Sequence, residues 1–390
     1  MVQVASSAHA VQHSGIREIV NLVANRPGAD IVRLEIGEPG FATPRHIVDA
    51  GAAAAGRARY APSAGHASLR EAIANRLQRV HGIAAQPERI VVTQGAVQAC
   101  AVTFAALLTP GSEVLVPDPA WPNYEMLARM FGAVPVRYPL RAESGFVPDP
   151  DEVAGLVTDR TAAIVLNSPG NPTGAVIPQD VVRRLVEVAV ANDTVLLSDE
   201  VYDELIFEGE PANALKVDQE RVVGVYSFSK TYAMTGWRVG YAVAPTWLAP
   251  TLAKLQEPML SCIADPSMAG AIAALDGPQD EIATMREAYQ LRRDLAVGLL
   301  GDAGLVTAAP SGAFYLMLPL AEGVDSRNAA LDLVDHGVSV APGSAFGDVA
   351  GDHVRLSLAS EEPALREGIG RILAWYERTD GGRAGSIPVV

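Results

Sequence analysis

The chain has 390 residues, of which 49% are apolar and 19% are charged, and its formal net charge at pH 7 is -15. This length favours two domains, and the apolar content excludes a disordered chain. An acidic surface repels nucleic-acid phosphates and anionic lipids, so neither a nucleic acid nor a membrane is expected as a partner.

Two cysteines exclude a disulfide framework, and the scattered histidines predict no metal site. The first residues lack the basic and apolar stretches of a secretory signal, and no apolar run is long enough to span a membrane. The expected location is therefore cytoplasmic.

Short apolar runs alternate with helical windows through the first two thirds of the chain. The predicted strands are 89–93, 113–116, 134–138, 162–166, 194–197, 222–226 and 238–243, and the helices between them include 96–108 and 180–191. Several of these strands are apolar on both faces, which is typical of a mostly parallel sheet buried under helices. The pattern predicts an α/β fold whose sheet has about seven strands, within residues 50–250.

The pattern changes after about residue 265. A long helix is predicted over 280–300, strands over 313–318 and 353–358, and helices over 326–336 and 364–376. This part is expected to form a smaller α+β domain. The predicted division is a large domain over 46–270 and a small domain over 271–390, which residues 1–45 join; residues 380–386 are expected to be a loose tail.

Ligands of open α/β sheets bind beyond the carboxyl ends of the strands, so we expect the functional residues in the connections that follow the strands. The sequence 93–97 follows a strand and opens a helix, where free backbone N–H groups can hold an anion, although an ordinary tight turn is the alternative. Three prolines in 117–122 present Trp121, on which a flat ring can stack or which can fill a seam between domains.

Three further connections carry polar groups. Asn171 precedes a proline and can aim its amide at one point, or form a simple turn. Asp199 ends an apolar strand and needs a cation or strong donors; a helix cap or a buried salt bridge is the alternative. Lys230 lies in an aromatic-rich connection, where loss of water makes an amine more nucleophilic, unless it is simply solvated.

Ser227, Ser229 and Arg238 accompany this lysine, and serines with an arginine suit a phosphate group. Each connection alone is a weak signal. Together they provide an anion site, a stacking face, an amide, a carboxylate, an amine and a guanidinium on successive strand ends. This set fits an aromatic, phosphorylated cofactor that bears a carbonyl group.

At this point the sequence resembles the fold-type I pyridoxal-phosphate enzymes, specifically the class I and II aminotransferases related to aspartate aminotransferase. The resemblance covers almost the whole chain. It rests on nine motifs in order, at 36–41, 60–65, 171–174, 199–202, 227–230, 236–240, 312–315, 341–346 and 354–357. It implies a transferase that moves an amino group from an L-amino acid to a 2-oxo acid with pyridoxal 5′-phosphate as cofactor.

The resemblance implies a role for each residue at the cofactor ring. Lys230 would bond covalently to the cofactor aldehyde and, once freed by the substrate, would move the α-proton as a general base. Asp199 would pair with the ring nitrogen and keep it protonated. Asn171 and Tyr202 would hydrogen-bond the phenolic oxygen, and Trp121 would stack on the ring; Asn171 and Trp121 would also border the substrate.

The resemblance further implies that five residues hold the phosphate, namely Ala96 and Val97 through their N–H groups, Ser227, Ser229 and Arg238. Arg355 would take the α-carboxylate of the substrate as a bidentate fork. Gly37 would let the backbone approach the substrate. Tyr60 would reach the phosphate of the neighbouring subunit, which implies a homodimer. Cis peptide bonds are expected before Pro119 and Pro172.

The chain departs from the family pattern in two places. Val97 stands where some bacterial aspartate aminotransferases carry a lysine for the distal carboxylate, and Gly40 stands where relatives commonly have an aspartate. The sequence therefore gives less support to an acidic amino acid as the amino donor. Arg57, Arg137 and Arg141 have no role in the motifs and are expected to be surface charges.

Other reactions remain compatible with the motifs. Elimination, cyclisation or oxidation of an amino acid in secondary metabolism would use the same Lys230 and Asp199. A non-catalytic effector module would need an attached DNA-binding domain, which is not expected here. A nicotinamide dehydrogenase would need a G-x-G-x-x-G motif after the first strand, and this motif is absent.

Overall fold

The computed structural model describes residues 3–57 and 59–379; the tail predicted at 380–386 lies outside them. Most strands lie within two residues of their predicted bounds. In chain order the strands are β1 Val32–Arg33, β2 Ile90–Thr93, β3 Glu113–Asp118, β4 Val134–Pro139, β5 Thr161–Asn167, β6 Val195–Asp199, β7 Val222–Ser227, β8 Gly240–Val243, β9 Tyr315–Pro319, β10 Val338–Ser339, β11 Ala341–Pro342 and β12 His353–Ser357.

Helices separate most of these strands, as the alternation of the sequence predicts. In chain order they are α1 Ser6–His9, α2 Gly15–Ala24, α3 Arg45–Ala54, α4 Ala67–Arg76, α5 Ala96–Leu107, α6 Asn123–Met130, α7 Pro150–Leu156, α8 Gln179–Ala191, α9 Phe228–Thr231, α10 Ala249–Leu260, α11 Asp265–Asp276, α12 Asp280–Gly301, α13 Ser326–Asp335 and α14 Glu362–Thr379.

The seven-stranded sheet has the order β2-β8-β7-β6-β5-β3-β4. Neighbouring strands are parallel except that β8 runs antiparallel to both β2 and β7. The predicted mixed α/β fold with a mostly parallel sheet of seven strands is therefore confirmed. Because β2, β3, β5, β6 and β7 point the same way, their carboxyl ends share one edge of the sheet.

Alternate residues of these strands pack into two separate cores, one on each face of the sheet. On β3, Leu115 joins one core while Val114 and Val116 join the other. On β6, Leu196 and Leu197 divide in the same way. This division is the physical reason for the apolar runs, since a strand covered by helices on both faces has no solvent side.

Two smaller sheets involve the later part of the chain. The antiparallel sheet β11-β12-β9 places β12 in its centre, and β1 pairs in parallel with β10. The pairing of β1 with β10 brings the first part of the chain against its last third. In the described part of the chain, no helix has the length and apolarity to cross a membrane.

Candidate active site

A cavity of about 530 Å³ opens where the strand ends of the large sheet meet α2 and the three-stranded sheet. Its wall includes all but one of the site residues predicted from the sequence: Gly37, Ala96, Val97, Trp121, Asn171, Asp199, Tyr202, Ser227, Ser229, Lys230, Arg238 and Arg355. The exception is Tyr60, which is 91% exposed and lies outside this wall.

Lys230 lies in the short helix α9 directly after β7, and not in an open loop as the sequence suggested. Ser227 starts this helix, since its hydroxyl accepts the N–H of Ser229 at 3.1 Å. The amine of Lys230 donates to the carbonyl of Gly37 at 2.6 Å. The helix thus turns the amine back across the cavity towards the segment after β1.

Burial lowers the pKa of Lys230 to about 8, an effect that Glu38 opposes and the cations Arg355 and Arg238 support. The chain has two other lysines, Lys216 and Lys254, and both are exposed. An amine with a lowered pKa is unprotonated, and therefore nucleophilic, in a larger fraction of molecules near neutral pH. Lys230 is the lysine best suited to react with a carbonyl group.

Asp199 ends β6 and is 2% exposed. The Tyr124 hydroxyl donates to its Oδ2 at 2.5 Å, and the Val201 N–H donates to Oδ1 at 3.2 Å. Within residues 3–57 and 59–379, no cationic side chain lies within ion-pair distance of this carboxylate, so the salt-bridge alternative is wrong. Burial raises the pKa of Asp199 to about 6 because the two donors only partly offset the loss of water.

The segment predicted to bind an anion lies at the start of α5 and borders the cavity. Gly95 has φ +78°, and Arg238 lies so close that a Cβ on this glycine would approach its Nη2 to 2.6 Å. The guanidinium donates to the carbonyls of Thr235 at 2.9 Å and Gln94 at 3.3 Å. Ala96 and Val97, in the first turn of α5, thus line the cavity together with Arg238, and this combination suits a phosphate.

Arg238 also explains why the last strand of the sheet is shorter than predicted. Its backbone is left-handed, with φ 55° and ψ 55°, and β8 begins two residues later at Gly240. A residue in this conformation cannot continue a strand. The sequence 238–243 gave no sign of this turn, since an almost continuous apolar run follows Arg238.

Arg355 lies on β12 and is 2% exposed. It donates to Oδ1 of Asn171 at 2.9 Å and to the carbonyl of Glu35 at 2.5 Å. Its Cζ lies 4.4 Å from the ring centre of Tyr315 and 4.8 Å from that of Phe346. Its Nε has no partner among the described residues, so the buried guanidinium keeps donor capacity for a ligand.

The remaining contacts fix the groups between Asp199 and Arg355. The hydroxyls of Tyr202 and Tyr315 lie 2.7 Å apart. Asn167 accepts the N–H of Asn171 at 2.8 Å and donates to the carbonyl of Asp199 at 3.0 Å. Any side chain on Gly37 would overlap the Tyr315 hydroxyl, so glycine is required there.

The two expected cis peptide bonds are confirmed, at Asp118–Pro119 and at Asn171–Pro172, and Ser168–Pro169 is a third. Of the arginines without a motif, Arg137 and Arg141 pair with carboxylates of Glu125 and Glu152. Arg141 is exposed, in agreement with the prediction of a surface charge, whereas Arg137 is only partly exposed and also faces the buried Asp118.

Several cavity residues were not identified from the sequence. Tyr315 ends the motif at 312–315, but neither it nor Tyr124 could be told from an ordinary core tyrosine, and both are buried. The sequence does carry one sign that Tyr124 lies near the site: it comes three residues after Trp121, at the start of a helix. Ile16, Arg17 and Val20 come from α2, more than 200 positions before Lys230, and no motif marks them.

Comparisons with known proteins agree with this geometry. The family model described as aminotransferase class I and II matches residues 29–372. The aspartate/prephenate aminotransferase of Thermus thermophilus is 41% identical over 358 residues, which cover 90% of this chain and 92% of that protein. The arginine–pyruvate transaminase AruH of Pseudomonas aeruginosa is 40% identical over 352 residues, covering 88% and 91%.

Among solved structures, the Thermus thermophilus aspartate aminotransferase with maleate superposes with a TM-score of 0.92 at 38% identity, over 96% of this chain and 100% of that one. An alanine aminotransferase from Pyrococcus furiosus superposes with a TM-score of 0.91 at 30% identity, over 96% and 100%. These proteins are all named for amino-group transfer, which favours transfer over elimination, cyclisation or oxidation. The chain belongs to the class I and II aminotransferases and moves an amino group from an amino acid to a 2-oxo acid.

Proposed function

We propose that the cavity binds pyridoxal 5′-phosphate through Lys230 and uses it to transfer the amino group of an L-amino acid to a 2-oxo acid. One observation carries this proposal: a lysine with a lowered pKa and a buried aspartate without a counter-cation line the same cavity. The amine lacks an electrophile and the carboxylate lacks a cation. A pyridine aldehyde with a protonated ring nitrogen supplies both.

The residues of the cavity fit the other groups of this cofactor. The start of α5 and Arg238 offer N–H donors and a cation for its phosphate, and Ser227 and Ser229 line the same part of the wall. Asn171 and Tyr202 offer donors for its phenolic oxygen. Trp121, half-buried in the wall, offers a flat face for the ring.

When bound, the protonated ring withdraws electrons from the substrate Cα and makes its proton acidic enough to remove. Asp199 stabilises the positive charge of the ring nitrogen, and this is why its carboxylate must stay ionised. Lys230 takes the proton from the Cα and returns it at a different carbon, for which its pKa near 8 is well placed.

Arg355 would bind the α-carboxylate, which both the amino acid and the 2-oxo acid carry. Two rings and two hydrogen bonds already hold the guanidinium in place, so little side-chain freedom is lost when the substrate binds. A planar guanidinium matches a carboxylate with two parallel hydrogen bonds. This single anchor serves both halves of the reaction.

We further propose a homodimer in the cytoplasm. Tyr60 is 91% exposed, although large aromatic side chains are usually covered, and the adjacent Ala61 N–H contacts Cys262 Sγ at 3.3 Å, just after α10. Met259 at the end of α10 is also exposed, at 43%. A second subunit over this surface would cover both side chains and bring Tyr60 to the partner's phosphate.

Borohydride reduction tests the proposed function, because the chain offers only three lysines. We expect the reduced protein to carry the cofactor mass on the peptide that contains Lys230. Lys230→Ala should lose the visible absorption band and the release of 2-oxo acid from a panel of amino acids. Lys254→Ala, which removes an exposed lysine, is the matched control and should keep both. A band that survives dialysis and reduction in Lys230→Ala would contradict the proposal.

A further inference from the structure

Asp118 joins the seven-stranded sheet to the connection between β11 and β12. It is the last residue of β3, and its side chain is only 5% exposed. One carboxylate oxygen accepts the N–H of Asp348 at 3.0 Å and the other accepts the N–H of Val349 at 3.1 Å. A buried carboxylate that receives two backbone donors holds them firmly, because both the charge and the N–H groups would otherwise be unsatisfied.

Two further contacts lie between the same two segments of the chain. The Ala120 N–H donates to the carbonyl of Phe346 at 2.8 Å. Gly347 has φ +146°, and a Cβ at this position would collide with the Asp118 carboxylate. We call this contact between Asp118 and residues 346–349 the Asp118 junction.

Arg137 balances the charge of the junction from the neighbouring strand β4. Its Nη1 lies 3.7 Å from Oδ2 of Asp118 and 2.5 Å from Oδ2 of Asp348. The carboxylate of Asp118 is thus held by two N–H groups and faces a cation. A buried carboxylate with these partners is typical of a permanent contact between two sheets, and not of a chance surface contact.

The Asp118 junction includes Phe346, the residue whose aromatic ring covers Arg355. Phe346 is 4% exposed, and its ring centre lies 4.8 Å from the guanidinium Cζ of Arg355. The carbonyl of Phe346 accepts the N–H of Ala120, and the N–H groups of Asp348 and Val349 are held by Asp118. If the segment moves away from β3, the ring moves with it and Arg355 loses one of the surfaces that fix its direction.

We propose that Asp118 is a positioning residue for substrate binding: it holds residues 346–349 against the large sheet, so that Phe346 keeps Arg355 directed at the substrate carboxylate. This inference rests on the proposed function, in which Arg355 binds that carboxylate. Asp118 itself does not line the main cavity and acts only through Phe346.

The test is Asp118→Asn in the enzyme loaded with cofactor. The asparagine keeps one acceptor oxygen and places an NH₂ group against the second backbone N–H, so one of the two bonds is lost. We expect KM for both the amino acid and the 2-oxo acid to rise about tenfold while kcat stays within about threefold, because ground-state anchoring is weakened and the proton transfer is not. The dissociation constant of a carboxylate inhibitor should rise by a similar factor.

Glu113→Gln is the matched control, since Glu113 begins the same strand that Asp118 ends. Glu113 is also buried, accepts the Thr158 hydroxyl at 2.6 Å and pairs with Arg160. We expect this control to lower the unfolding midpoint without changing KM. The inference is overturned if Asp118→Asn leaves KM unchanged, or if Glu113→Gln raises it equally.

If Asp118→Asn fails to fold, a second variant and one measurement on the native enzyme still test the inference. Gly347→Ala forces the segment away from Asp118 and should raise KM in the same way. In the unchanged enzyme, the amides of Asp348 and Val349 should resist deuterium exchange as strand amides do, and fast exchange would overturn the inference.

Arg355→Lys separates this inference from the proposed function. A lysine cannot form the bidentate pair, so KM should rise whether or not the Asp118 junction matters. If Arg355→Lys leaves KM unchanged, the proposed function fails. If Arg355→Lys raises KM and Asp118→Asn does not, only the inference about Asp118 fails.

Discussion

Two buried aspartates four positions apart, Asp199 and Asp203, have opposite surroundings. Asp203 meets the guanidinium of Arg76 at 2.7 Å and lies 2.8 Å from Nε2 of His81. Burial alone would raise the pKa of Asp203, but Arg76 and His81 outweigh it and lower the pKa to about 2. Asp199 has two hydrogen-bond donors and, among the described residues, no cation at ion-pair distance; burial raises its pKa to about 6, and the more distant Lys230 opposes this only in part.

The difference separates a structural carboxylate from a functional one. The fold itself supplies the partner of Asp203, which lies outside the cavity wall, so its charge is satisfied whether or not a ligand is present. The fold leaves Asp199 short of one positive charge at a cavity wall. A buried carboxylate in this state is poised to bind a cationic group, as the nitrogen of a protonated ring is.

The largest effect is expected from Asp199→Asn. The amide is isosteric and keeps one acceptor oxygen, for either Tyr124 or Val201, but it cannot hold a ring nitrogen in its protonated form. We expect cofactor binding to persist, the rate of transfer to fall by several orders of magnitude, and the free energy of unfolding of the cofactor-free protein to change little. Single-turnover rates and urea unfolding measure the two quantities. Activity close to that of the unchanged enzyme would remove the distinction between the two aspartates.

The opposite result is expected from Arg76→Met. Arg76 donates to Asp203, to Glu204 at 2.5 Å and to the Tyr241 hydroxyl at 3.1 Å, so its loss leaves buried carboxylates without a cation. We expect unfolding to become easier by about 3–5 kcal/mol, while the folded fraction keeps its kcat. Arg141→Met, at the exposed pair with Glu152, is the control and should have no measurable effect. A large loss of kcat in folded Arg76→Met would show that the two sites are not independent.

The sequence predicted the large sheet well, because buried parallel strands are β-branched and apolar on both faces. It also placed Lys230 and Asp199 at strand ends, where side chains of a parallel sheet converge. It could not show that the charge of Asp203 is paired within the fold while that of Asp199 is not. The difference comes from Arg76 and His81, which lie more than 100 positions earlier and are brought close only by folding.

The same limit applies to the substrate end of the cavity. The proline-rich segment at 117–122 predicted a presented Trp121, but Asp118 has its hydrogen-bond donors 230 and 231 positions later. Partners at such separations leave no periodic pattern in a single sequence. The role of Tyr124 could not be predicted for another reason. It is 1% exposed, and in a sequence such a tyrosine cannot be told from the other large side chains of the hydrophobic core.

The smallest effect is a dependence of stability on pH. The pKa of Asp199 is about 6 in the folded chain and 3.8 as its ordinary value, so the folded state binds this proton more tightly than the unfolded state does. The stability that Asp199 contributes is complete below pH 4 and is lost as pH rises through 6. We expect the unfolding free energy of the cofactor-free protein, relative to Asp199→Asn, to fall by at most about 3 kcal/mol between pH 4 and pH 7.

Asp203 contributes stability of the opposite sign, present above pH 4 and lost as pH falls through 2, but it is the same in both proteins and cancels in the difference. Urea unfolding at several pH values, with and without cofactor, measures the effect. With cofactor bound, the ring nitrogen stabilises the ionised carboxylate, so the fall should disappear. Parallel curves for the two cofactor-free proteins would mean that Asp199 already has a partner for its charge, and the contrast with Asp203 would then fail.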